Sequence, residues 1–125
     1  MNYMENYVKN NEILAQYLGY KESSETVQEF MDEPEKYGKY YERTKGVHEY
    51  LDFHKSWDWL MEVVDKLERE GHPVYISSNN CSIYWSTNAI NNKEFIVDQY
   101  GENKMDAVYR AVVLFVKYLN SNMND

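Results

Sequence analysis

Leu51-Asp52-Phe53-His54-Lys55-Ser56-Trp57-Asp58-Trp59-Leu60-Met61-Glu62-Val63-Val64-Asp65-Lys66-Leu67-Glu68 sets the architecture, because an alternating lead-in runs there into an amphipathic helix. Ser56 is the expected N-cap, since its hydroxyl can accept from an orphan N–H of the first turn, and Asp58 places negative charge where the helix dipole favours it. Trp57, Leu60, Met61, Val64 and Leu67 recur at helical spacing and define the expected core face. Gly71-His72-Pro73 stops the helix, which is therefore predicted over 56–70.

Downstream, Val74 to Ser78 reads as a strand, Asn79-Asn80 as a tight turn and Cys81 to Ser86 as an antiparallel partner. Thr87 to Asn92 reads as a longer turn and Glu94 to Asp98 as a third strand, which together make a meander. A second long helix is predicted over 103–120, with Asp106 in its first turn and Met105, Val108, Tyr109, Val112, Phe115, Val116 and Leu119 on its apolar stripe. The expected fold is α+β: a short antiparallel sheet of three to four strands packed with the two long helices. Its core is predicted to hold Trp57, Leu60, Met61, Val64, Leu67, Ile76, Ile83, Val108, Val112, Phe115 and Leu119.

Upstream the pattern is weaker. Residues 1–9 show no clean period and are expected to fray, while Ile13, Leu14, Tyr17 and Leu18 mark a short helix ended by Gly19. Residues 22–35 hold six acids and no base, with a narrow stripe of Val27, Phe30 and Met31 suited to a second short helix from Ser24 that ends before Pro34. Residues 34–46 read as a loop or an irregular edge strand. Val47 to His54 alternates, so an extended arm would align His48, Asp52 and His54 on one face.

A chain of 125 residues suits a single domain over residues 1–125. Cys81 is the sole cysteine, and neither a signal peptide nor an apolar run of about 20 residues is present, so the cytoplasm is the expected compartment. The net charge is −8, and residues 1–70 hold 16 of the 21 acids against 9 of the 13 bases. That balance argues against direct nucleic-acid contact, which draws on Lys and Arg, and permits a basic protein partner. Thirteen tyrosines supply rigid contact area with a polar tip, which suits an interface or a core of edge-facing rings.

The segments 53–68, with its Trp57-Asp58-Trp59-Leu60-Met61 string, and Asp106 to Asn120 resemble a family of small phage and prophage proteins built on the phage ABA-sandwich domain. Asn11 to Tyr20 is similar to that family's opening, whereas Glu62 stands where the family commonly has proline, and 21–46 lies outside the likeness. The resemblance implies a layered fold, an α/β/α sandwich, in the cytoplasm of a bacterial host. Small phage accessory proteins of this size often disable a host defence component such as a CRISPR effector, so an anti-CRISPR-like role is an expectation by analogy with that class.

Two constellations invite chemistry. His48, Asp52 and His54 offer imidazole and carboxylate groups to a metal or a shared proton, although no other Cys or His has matching motif spacing. Cys81 could pair with a histidine as nucleophile and base, but a turn-flanking position in an acidic chain is poorly suited, and it reads as a half-buried strand residue. Trp57 and Trp59 sit about 200° apart on a helix, so Trp57 belongs to the core, and Trp59 with Val63 meets a second layer or lies exposed.

The recognition surface expected from sequence combines the acidic segment 22–35 with the tyrosines after it: Glu29, Asp32, Glu33, Glu35, Tyr37, Tyr40 and Tyr41. The plainer alternative is a solvated helix and loop. The function expected is therefore a non-enzymatic protein binder, without catalytic residues, metal or cofactor, acting as monomer or homodimer. The alternatives are a small metal-dependent enzyme on His48, Asp52 and His54, or a structural homodimer.

Overall fold

Helix α1 spans Tyr3–Tyr17 and so includes residues expected to fray. Among its described side chains the buried ones are Asn11, Leu14 and Ala15, with Tyr7 half-buried one turn earlier. A polar Asn at the centre of the stripe hides the period, which is why the helix is shorter on sequence reading. It closes through Tyr20 N–H to Ala15 O and Gly19 N–H to Gln16 O, both 3.0 Å.

The computed structural model describes residues 3–22, 40–44, 47–50, 52–88 and 95–123. By contact the chain gathers into two compact units, Met1–Asp52 and Phe53–Asp125. In the first unit β1 (Lys21–Glu22), β2 (Tyr40–Thr44) and β3 (Val47–Tyr50) form an antiparallel sheet in that order. Residues 40–44 are thus a central strand rather than a loop or an edge, and a register shift between Glu42 and Thr44 breaks the alternation that would have marked it. The expected helix from Ser24 lies outside the described residues.

The second unit begins with the helix foreseen from Ser56. In α2 (Trp57–Arg69) the Ser56 Oγ accepts from the Trp59 N–H at 3.3 Å. Past Glu70 the His72 N–H reaches Leu67 O at 2.9 Å and the Gly71 N–H reaches Glu68 O at 3.0 Å, with Gly71 at φ +92°. That pair of bonds is a Schellman closure, whose left-handed residue is glycine because a Cβ there is strained. The buried arc of α2 is Leu60, Val63, Val64 and Leu67.

Two core assignments on this helix are corrected. Trp57 is 37% exposed and Met61 is half-buried, whereas Val63 is fully buried. At 100° per residue the arc of four buried positions is centred about 70° from Trp57 and about 110° from Met61, which leaves both at its rim. Ile76, also assigned to the core, is half-buried.

Strands β4 (Val74–Ile76), β5 (Asn80–Tyr84) and β6 (Phe95–Tyr100) form the expected antiparallel meander in sequence order. The β4–β5 turn spans 77–80, closed by Ser77 N–H to Asn80 O at 2.9 Å, so β5 already starts at Asn80. Val74, Ile83 and Val97 are matched across the sheet, as are Ile76, Cys81 and Gln99. Cys81 and Ile83 are fully buried and Val97 nearly so.

Helix α3 (Lys104–Met123) packs on β5 and β6 and against α2, which also meets β4. Asn103 caps it, its Oδ1 accepting from the Asp106 N–H at 2.9 Å. Its buried arc runs through Ala107, Val108, Ala111, Val112, Phe115, Val116 and Leu119. The fold is α+β, and within this unit the helices lie against the buried face of the sheet and leave Tyr75 and Tyr100, on the other face, exposed.

Candidate functional site

Of the recognition residues expected from sequence, Glu29, Asp32, Glu33, Glu35 and Tyr37 lie outside the described residues. Tyr40 and Tyr41 belong to β2, where Tyr40 pairs with Tyr50, and Tyr41 with both Glu22 and Glu49. Their side chains are outside the description.

The proposed face of His48, Asp52 and His54 does not form as one extended arm. Strand β3 ends at Tyr50, and Phe53-His54-Lys55 makes a turn just past the division between the units. Phe53 is fully buried there, and the His54 ring lies 5.8 Å from that of Tyr109 in the second unit's core. The apolar demand of Phe53 and the cap at Ser56 override the alternation. Among the described residues no group of three His, Cys, Asp or Glu side chains is placed to hold a metal ion.

Cys81 is fully rather than half buried, facing α3 from the central strand. Burial first, and then the Asp98 carboxylate, push its thiol up to about 12. A thiol held so far above neutrality is almost wholly un-ionised, the opposite of an activated nucleophile. His72, another possible base, is also occupied: its Nδ1–H donates to the Trp85 carbonyl at 2.8 Å, and its ring lies between Trp85 and Phe115 with centroids 5.0 and 4.9 Å away. A carbonyl can only accept, so that contact fixes the proton on Nδ1.

What the second unit does present is aromatic surface. Tyr75, Tyr100 and Trp85 are 52%, 66% and 47% exposed. Trp85 leans on Tyr118, edge to face at 6.1 Å, and Tyr75 on Tyr84 at 5.6 Å. The sheet's outer face carries, in register, Tyr75 beside Ser82 beside Asp98, with Asn80 beside Tyr100 in the adjoining row.

The polar centre of this face is ordered. Asp98 Oδ1 accepts from Asn80 Nδ2 and from Ser82 Oγ, both at 2.7 Å, and the second Asn80 amide proton goes to Gln99 O at 3.2 Å. The three strands contain one charged side chain, Asp98, and no lysine or arginine. Each strand is too short to announce this surface alone; its signal in the sequence is the alternation of Tyr75, Ser82, Tyr84, Asp98 and Tyr100 with Ile76, Cys81, Ile83 and Val97. Comparison with known protein families, with curated proteins and with solved structures finds no match for this chain.

Proposed function

We propose that this chain is a non-enzymatic binding protein whose partner is another protein with a basic surface. One observation carries the reading: the second unit buries Phe53, Tyr109 and Phe115 among its aliphatic core residues, yet leaves Tyr75, Trp85 and Tyr100, on or beside its strands, in water. Rigid aromatic side chains with a polar tip are the residues from which interface anchors are built, and their exposure is costly without a partner. The net charge of −8 supplies the steering component, favouring encounter with a basic surface. No helix among the described residues is long and apolar enough to cross a membrane.

For the setting we propose, from the resemblance of 53–68 and 106–120 to phage and prophage proteins and by analogy with small phage accessory proteins as a class, that in the cytoplasm of a bacterial host the chain occupies a basic groove of a defence component such as a CRISPR effector. In this reading Glu29, Asp32, Glu33 and Glu35 govern encounter, and Tyr37, Tyr40 and Tyr41 act as anchors of their own. The test is affinity capture from bacterial lysate followed by kinetics with the purified partner. Charge reversal at Glu29, Asp32 and Glu33 is expected to slow association and flatten its salt dependence. Association unchanged by reversal and by salt would remove the electrostatic half of the proposal.

A further inference from the structure

The outer face of the β4–β6 sheet has a more specific complement than a generic basic protein, and we infer that it takes an arginine side chain of the partner between Asp98 and Tyr100. This rests on the protein-binding reading above and names the chemistry of the contact. Charge is the first argument. Asp98 is the only Asp, Glu, Lys, Arg or His in the three strands, and its one hydrogen-bonded oxygen is committed to Asn80 and Ser82. Among the described residues nothing donates to its Oδ2 or forms an ion pair with it.

Geometry is the second. Asp98 and Tyr100 lie two residues apart on β6, on the same face and separated by about 7 Å along the strand. On β5, beside Asp98 and Tyr100, the short Ser82 and Asn80 side chains are both turned to Asp98 Oδ1. A planar guanidinium entering there can donate to Oδ2 while lying against the ring of Tyr100, which is 66% exposed and makes no hydrogen bond to a described residue. Arginine fits better than lysine, because it donates in a fork, stacks on aromatic faces and is less strongly hydrated than an ammonium. The two donors already on Oδ1 hold the carboxylate in one orientation, so little order has to be imposed on binding.

The test is a heteronuclear NMR titration of the full chain with a short capped peptide bearing one arginine, beside the same peptide with citrulline and with lysine. The arginine peptide is expected to shift the amides of Ser82, Asp98 and Tyr100, with the lysine peptide weaker and citrulline without effect. Asp98→Asn keeps an acceptor for Ser82 and Asn80, so it preserves the fold while lowering arginine affinity about tenfold. Tyr100→Ala should lower it as well. Equal response to arginine and citrulline, or an Asp98→Asn protein that binds as well as the wild type, overturns the inference. If the arginine peptide moves only amides of the first unit, this site is wrong while the preference for basic partners stands. If a captured partner binds Asp98→Asn unchanged yet is lost on tyrosine substitution, the protein-binding reading survives without this contact.

Discussion

Replacing Phe115 by Ala should be among the most damaging single changes in the second unit, and its neighbour Leu114 provides the control. Phe115 is fully buried on α3, and its ring is one of the two that enclose His72. Leu114, one residue earlier and so about 100° around the helix, is 41% exposed. Truncating a buried Phe removes its transfer free energy and leaves a cavity, together about 3–5 kcal/mol, whereas an exposed Leu should cost less than about 1 kcal/mol. A unit of about 70 residues has a stability of about 4–10 kcal/mol, so Phe115→Ala takes roughly half of it. All three tryptophans lie in this unit, so urea unfolding followed by their fluorescence reports on it directly. The midpoint of Phe115→Ala should fall by about 2 M or more, given the usual urea dependence of a small domain. If the two variants lost similar stability, the assignment of α3's buried face would be wrong.

Further substitutions test other parts of the account. Gly101→Ala would place a Cβ 2.4 Å from the backbone nitrogen of Ala107, so the start of α3 must move; a loss of about 1–3 kcal/mol is expected by thermal or urea melting. Val63→Ala should destabilise more than Trp57→Ala, reversing the order that hydrophobicity alone suggests. Ser56→Ala should cost about 1 kcal/mol through loss of the cap, with Ser56→Asp nearly neutral. Cys81 gives a pH dependence: its thiol stays protonated in the folded chain to about 12 but ionises near 9 when unfolded, so above 9 the folded state binds the extra proton. Stability is therefore undiminished by this group below pH 9 and falls by about 1.4 kcal/mol per pH unit between 9 and 12. Cys81→Ala, melted across the same range, should lose that slope.

The long helices and the meander were legible because their signals are local. Ser56 and Gly71 punctuate α2, and the stripe from Val108 to Leu119 repeats cleanly. The rim position of Trp57 was not legible, since it depends on where α3 and β4 press on α2, and size argues for burial. Nor was the length of α1, where a buried Asn11 interrupts the apolar pattern. The arm from Val47 to His54 failed for a related reason: alternation favours a strand, but burial of Phe53 and the cap at Ser56 turn the chain before His54. The outer sheet face was legible only as alternation. Its ordering through Asp98 depends on cross-strand register, which short strands do not announce.

Covalent labelling of tyrosines, read residue by residue by mass spectrometry with and without a captured partner, shows whether the outer face of the β4–β6 sheet is the contact surface. Tyr75 and Tyr100, accessible in the free chain, are expected to become strongly protected in the complex. Labelling of both at the same rate with the partner bound would contradict it and show that the sheet face is not the contact surface.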